Sequence, residues 1–211
     1  AMTFSIRTRI KICGLTREED VRAAVSAGAD AIGFVFYPPS PRFVSFERAA
    51  ELARLIPPFV TTVGLFVNAG RDYVENALEA VPLQVLQFHG DETEADCVGF
   101  GLPYIKAGRM RPGLDLLKYA ASFPCAQGLL LDAFVEGYGG GGETFDWSLI
   151  PSGLPLPLIL SGGLHGGNVA EAVRCVQPWA VDVSSGVEAA KGIKDADRIT
   201  EFVAGVQNAH G

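Results

Sequence analysis

A chain of 211 residues has the length of one domain, and 48% apolar against 19% charged residues can build a buried core. The net charge of −7 comes without any basic tract, so nothing here is typical of a nucleic-acid-binding protein, and we expect no nucleic-acid partner.

The cysteines and the N-terminal segment predict the compartment. The four cysteines, at positions 13, 97, 125 and 175, contain no C-x-x-C pair and no Cys/His cluster with zinc spacing, so we expect neither a metal nor another cofactor. Residues 1–9 contain polar and charged residues and no apolar segment typical of a signal peptide, and no apolar run is long enough for a membrane span. We therefore predict a cytoplasmic protein with reduced thiols and no membrane contact.

Short apolar runs alternate with longer segments of helical pattern along the chain. The first predicted strand is Arg9–Cys13, followed by a helix with Thr16 and Glu19 as a capping box and Gly28 as its end. The further strands are predicted at 31–36, 61–67, 83–88, 104–107, 128–132, 157–160 and 180–183. Helical segments are predicted at 45–55, 72–80, 92–100, 114–122, 168–176 and 195–208, with a short helix near 146.

Eight strands with helical segments between them predict an α/β protein, a single (β/α)8 TIM barrel over residues 1–211. About 250 residues is typical of this fold, so the chain is short for it. The alternative is a doubly wound open sheet, which usually has fewer strands. No linker or low-complexity tract divides the chain.

The rule that TIM-barrel active sites lie at the carboxyl ends of the strands sorts the polar residues. Cys13 ends the first predicted strand and Asp132 the sixth. A thiol and a carboxyl on opposite sides of a substrate can move protons in an isomerisation. From position alone, Cys13 is equally typical of a small buried residue and Asp132 of a helix cap or ion pair. His89 ends the fourth strand, and we assign it no catalytic role.

Two glycine-rich loops follow the seventh and eighth strands, where this fold commonly binds phosphate. They contain Gly162 and Gly163 in SGGLHGGN, and Ser184, Ser185 and Gly186 in DVSSGVE. Glycines let backbone N–H groups approach an anion closely, and serine hydroxyls add donors. These loops predict a phosphate site, although the glycines would also suit tight turns.

Two further segments border the predicted rim. Arg42 ends the YPPSPR turn after the second strand, where a guanidinium can hold a carboxylate, but a solvated surface arginine fits this position better. The GYGGGGE segment at 137–143 follows Asp132, and we predict that it forms a mobile lid.

From Lys11 to about Glu188 the chain resembles the phosphoribosylanthranilate isomerases of tryptophan biosynthesis. The matching stretches are KICGLT, GADAIGFVFYPPSPR, VGLFVN, LQFHG, LLLDA, YGGGGETFDW, LSGGL and AVDVSSGVE. No single stretch is decisive, but their order and spacing together are highly specific. The resemblance implies a closed (β/α)8 barrel and no cofactor.

The resemblance also implies a reaction and its residues. The family converts N-(5-phosphoribosyl)anthranilate to 1-(o-carboxyphenylamino)-1-deoxyribulose 5-phosphate by an Amadori rearrangement, the third step from chorismate. It implies Cys13 as general base, Asp132 as general acid and Arg42 as the group that holds the anthranilate carboxylate. The phosphate contacts fall on Gly162, Gly163, Ser184, Ser185 and Gly186. Lys11 is close to Cys13 in sequence, but we expect its side chain to alternate away from the thiol.

Two alternatives remain at this point. The related isomerase of the histidine pathway performs the same rearrangement on another phosphoribosyl substrate, but has an aspartate where this chain has Cys13. A non-catalytic phosphosugar-binding barrel would bind without turnover. Either a monomer or a homodimer is compatible with the sequence.

Overall fold

The computed structural model describes residues 7–133 and 144–210, in which parallel strands alternate with helices. The barrel strands are β1 Arg9–Cys13, β2 Ala31–Val35, β3 Thr61–Phe66, β4 Val85–Phe88, β5 Tyr104–Met110, β6 Gly128–Ala133, β7 Leu158–Leu160 and β8 Ala180–Val183. The helices are α1 Glu18–Ala27, α2 Phe46–Ala53, α3 Arg71–Ala80, α4 Glu94–Cys97, α5 Leu116–Ala121, α6 Val169–Val176 and α7 Ala196–Asn208. Single 3-10 turns lie at Trp147–Leu149 and Ser185–Val187.

The eight strands form a closed barrel in chain order, which confirms the predicted (β/α)8 fold. Each strand pairs in parallel with the next, and β8 pairs with β1 to close the ring. Lys11 and Asp182 are direct partners across that closing pair, and Cys13 is the partner of Gly33 on its other side. Parallel pairing brings the carboxyl ends of all eight strands to one rim, where active sites lie in this fold.

Apolar side chains pack on both sides of the strands. The larger core lies between strands and helices and includes fully buried Phe34, Phe66 and Phe202. A smaller cluster of Cys13, Val35, Leu65 and Val67 faces the barrel interior near the rim. The strands are therefore buried on both faces, which explains their continuous apolar runs in the sequence.

Helix ends follow local sequence chemistry at three places. Ser45 accepts a hydrogen bond from the Arg48 amide and caps α2, and Asp195 caps α7 in the same way. Gly28 ends α1 at φ +100°, as predicted.

The predicted Thr16–Glu19 capping box is wrong. Helix α1 starts after Arg17 without a side-chain cap, because the Thr16 hydroxyl instead donates to the Gly192 carbonyl. Gly192 lies in a hairpin, β9 Glu188–Ala190 and β10 Ile193–Lys194, that the sequence pattern did not predict. This hairpin follows β8 and places Glu188 and Lys194 behind the rim. Several other elements also differ in length from their predicted bounds; for example, β5 extends to Met110 and α4 covers only Glu94–Cys97.

Candidate active site

A cavity of about 430 Å³ opens at the carboxyl ends of the strands. Its lining includes all eight residues that the sequence predicted for the site: Cys13, Arg42, Asp132, Gly162, Gly163, Ser184, Ser185 and Gly186. Val35, Leu65 and Val67 form an apolar part of the wall between the polar groups. Such a mixture of apolar wall and few polar groups is typical of a small-molecule site.

Cys13 lies at the end of β1 with only 4% of its surface exposed. Burial raises the pKa of its thiol, while the ammonium of Lys11 acts in the opposite direction and favours the thiolate. The expectation that Lys11 alternates away from Cys13 is therefore wrong. Residues two apart in a strand share a face, so both side chains point into the barrel.

Asp132 is the penultimate residue of β6 and lines the same cavity as Cys13. Its Oδ1 accepts a hydrogen bond from the Ala133 amide at 2.8 Å, and its Oδ2 lies 3.3 Å from Nε2 of His89. The other ring nitrogen of His89 lies 3.0 Å from the Gln87 amide nitrogen. The chain Gln87–His89–Asp132 fixes the orientation of the carboxyl group, so His89 is a site residue to which sequence reasoning gave no role.

Arg42 lies at the rim and is largely buried. Its Nε and Nη2 donate to the two oxygens of Glu188 at 2.8 and 2.7 Å, and Lys194 Nζ donates to Glu188 at 2.9 Å. Burial alone would raise the pKa of Glu188, but the hydrogen bonds and charges of Arg42 and Lys194 hold it below its ordinary value. Arg42 is therefore a fixed cationic wall of the cavity, and the surface alternative is wrong.

The two glycine-rich loops meet beside Arg42. Gly162 and Gly163 adopt φ of +86° and +64°, which turns the loop after β7 into the cavity. The loop after β8 is held from behind, because Lys194 Nζ donates to the carbonyl and hydroxyl oxygens of Ser184 at 3.0 and 3.2 Å. The buried ammonium thus adds positive potential next to these loops, which favours an anionic ligand.

In the part of the chain that the structure describes, no group of His, Cys, Asp and Glu could hold a metal ion. Across residues 7–133 and 144–210, no helix is long and apolar enough to cross a membrane. The predicted lid at 137–143 lies outside the described residues.

Fold and site together define a class of protein: a (β/α)8 barrel with a thiol, a carboxyl group and an arginine around a rim cavity beside two glycine-rich loops. Comparison with known families identifies the class more narrowly. Residues 10–205 match the model of N-(5'-phosphoribosyl)anthranilate isomerase. The chain belongs to this family.

Individual relatives agree with that assignment. The N-(5'-phosphoribosyl)anthranilate isomerase of Dechloromonas aromatica is 68% identical over 204 residues, covering 97% of this chain and 98% of the relative. The crystal structure of phosphoribosyl anthranilate isomerase from Thermus thermophilus is similar with a TM-score of 0.86 at 36% identity, covering 95% and 99% of the two chains. A second structure, of this isomerase in complex with reduced 1-(o-carboxyphenylamino)-1-deoxyribulose 5-phosphate, has a TM-score of 0.82 at 40% identity, with the same coverage.

Proposed function

We propose that this protein isomerises N-(5'-phosphoribosyl)anthranilate to 1-(o-carboxyphenylamino)-1-deoxyribulose 5-phosphate, the third step of tryptophan biosynthesis from chorismate. Family membership supports the reaction. The observation that carries the residue roles is the convergence of Cys13, Asp132 and Arg42 on one cavity beside the two glycine-rich loops. This arrangement offers separate places for a carboxylate, a sugar and a phosphate.

Asp132 acts first, as the general acid. Its protonated carboxyl donates to the furanose ring oxygen, the C1–O bond breaks, and the anilino nitrogen lone pair forms the C=N bond of a protonated Schiff base. The contact from His89 and the Ala133 amide hold the carboxyl in one orientation while this happens.

Cys13 acts second, as the general base. Its thiolate takes the proton from C2, the C–H electron pair forms the C1=C2 bond, and the C=N electrons return to nitrogen. The enolamine then tautomerises to the ketone, losing the O2 proton and gaining one at C1. A buried thiol resists ionisation, so this step depends on cationic groups near the sulfur.

The two ends of the substrate are held by neighbouring groups at the rim of the cavity. Arg42 pairs with the anthranilate carboxylate through Nη1 and the second N–H of Nη2, because Nε and the first N–H of Nη2 are bound to Glu188. Gly162, Gly163, Ser184, Ser185 and Gly186 donate backbone and hydroxyl hydrogen bonds to the phosphate. With both ends fixed, the reacting carbons lie between acid and base, which supplies the positional part of catalysis.

The test is the loss of substrate fluorescence on isomerisation. Cys13→Ala and Asp132→Asn should each lower kcat by at least about a hundredfold, the usual contribution of a general acid or base. Cys175→Ala, at an exposed cysteine outside the cavity, is the matched control and should retain full activity. Full activity in either site variant would contradict the assigned roles. Binding of a product analogue without turnover in the parent protein would favour the non-catalytic barrel.

The remaining expectations belong to the same proposal. The protein works as one domain over residues 1–211, in the cytoplasm, on a small phosphorylated molecule and without a nucleic-acid partner. The acidic net charge and the reduced-thiol pattern of the cysteines support this setting. A gel-shift assay with duplex and single-stranded nucleic acid should show no complex.

A further inference from the structure

A buried ion pair lies in the barrel interior directly below the proposed base. The Lys11 side chain is only 5% exposed, and its Nζ lies 2.8 Å from Oδ1 of Asp182. The other carboxylate oxygen of Asp182 accepts a hydrogen bond from the Ser161 hydroxyl at 3.2 Å. Opposite charges this deeply buried hold each other in a fixed geometry, because separating them would leave an unpaired charge.

The sulfur of Cys13 and the ammonium of Lys11 occupy the same small space. Gly33 of β2 is the cross-strand partner of Cys13. A Cβ at Gly33 would lie 2.7 Å from the Cys13 sulfur and 3.2 Å from Lys11 Nζ. The absence of a side chain at this position thus lets the ammonium and the sulfur lie side by side against β2, close enough for the charge of Lys11 to act on the thiol.

We propose that Lys11 is a positioning residue whose ammonium stabilises the thiolate of Cys13, and that Asp182 and Ser161 hold this ammonium in place. The inference rests on the proposed role of Cys13 as the base. Lys11 has no place in the cavity lining, so it acts through Cys13 and not on the substrate.

Other charges also face Cys13, and their signs matter. Asp182 on β8 disfavours the thiolate, while Lys194 on β10 favours it. The positive charge of Arg42, from the turn after β2, also favours the thiolate. Arg42 and Lys194 share Glu188 as a counterion, which weakens their effect on the sulfur. Among these cations, Lys11 favours the thiolate of Cys13 most strongly.

The direct test measures the ionisation of Cys13 without catalysis. The rate of Cys13 alkylation by iodoacetamide is followed by peptide mass spectrometry across pH, which separates Cys13 from the other cysteines. Lys11→Met should raise the pH midpoint of the Cys13 alkylation rate by about one pH unit or more, as expected for the loss of an adjacent opposite charge. Asp182→Asn should lower this midpoint, because asparagine keeps an acceptor oxygen for the ammonium and removes only the negative charge that disfavours the thiolate.

Controls separate electrostatics from damage to the fold. Lys106→Met breaks another fully buried lysine pair, with Glu92 at 3.2 Å on the far side of the barrel, and should leave the Cys13 midpoint in place. Lys11→Arg keeps the charge and should keep the midpoint closer to that of the parent than Lys11→Met does. If Lys11→Met does not fold, the double variant Lys11→Met/Asp182→Asn removes both charges and should still raise the midpoint.

The outcomes are distinct. The inference is supported when the alkylation midpoint rises in Lys11→Met and falls in Asp182→Asn, and when the acidic limb of the pH profile of kcat/KM shifts in the same directions. Shifts of the same sign, or midpoints equal to that of the parent in both, overturn it. A parent protein that does not isomerise the substrate would overturn the proposed function instead, and the alkylation midpoints would still decide the role of Lys11.

Discussion

Replacing Glu188 with glutamine removes the negative charge from the buried cluster that holds Arg42 at the cavity rim. The Glu188 carboxylate accepts two hydrogen bonds from Arg42, one from Lys194 and one from the Gly192 amide. Its side chain is 5% exposed, and that of Lys194 is fully buried. Glutamine has the same shape but one acceptor oxygen, so two cations lose their counterion and at least part of their hydrogen bonding.

The size of the effect follows from these contacts. Breaking a buried ion pair by removing one partner costs about 3–5 kcal/mol. We expect Glu188→Gln to lower the free energy of unfolding by about this amount, a large share of the about 5–15 kcal/mol that is typical of a domain. Arg42 also loses the bidentate contact that fixes its guanidinium. The KM for the substrate should therefore rise more than kcat falls.

Urea unfolding followed by tryptophan fluorescence, together with steady-state kinetics, measures both effects. Glu92→Gln is the matched control, since Glu92 pairs with buried Lys106 and does not contact Arg42. It should lose comparable stability and leave KM unchanged. A Glu188→Gln protein within about 1 kcal/mol of the parent would refute the reasoning, because a broken buried pair costs about three times as much.

The remaining predictions concern pH, a turn and a cap. The pKa of Glu188 in the folded protein lies below its ordinary value, so the ionised carboxylate contributes stability above the unfolded pKa of about 4.3. This stability is lost as the pH falls through the folded pKa. In urea unfolding, the difference in free energy of unfolding between the parent and Glu188→Gln should therefore be smaller at pH 3 than at pH 7. Gly162→Ala would place a Cβ 2.6 Å from the Ala133 amide nitrogen at φ +86° and displace the strand end that carries the acid, so kcat should fall at least about tenfold. Gly28→Ala, at φ +100° with open space around it, should lose stability but keep kcat. Ser45→Ala removes the cap of α2 and should cost about 1 kcal/mol in urea unfolding, and no loss would contradict the capping role.

The fold was largely predictable because its signals are local. Parallel strands buried on both faces have continuous apolar sequences, and eight of them in one chain leave few architectures. The Thr16 capping box failed because the partner of the Thr16 hydroxyl is Gly192, 176 residues away. The β9–β10 hairpin was missed because strands of three and two residues are too short to show a period.

The site was predictable where position along a strand decides it. Cys13 is the last residue of β1 and Asp132 the penultimate residue of β6, so the rule that active sites lie at the carboxyl ends of the strands places both on one cavity. The groups that tune them could not be predicted in the same way. Arg42 meets Glu188 across 146 residues, and which charges pair inside a barrel depends on register. The position of Lys11 could have been predicted, since residues two apart in a strand share a face and Lys11 is two residues before Cys13.

The pairing of Lys11 with Asp182 has a consequence for the order of assembly. The two residues lie on the first and last strands of the barrel, 171 residues apart, at the seam where β8 meets β1. While the chain is being synthesised, β1 is made long before its carboxylate partner, and the electrostatic surroundings of Cys13 are incomplete until the ring closes. Before β8 pairs with β1, no carboxylate of Asp182 holds the Lys11 ammonium beside the sulfur. We therefore expect the thiolate of Cys13 to be stabilised only after the barrel has closed.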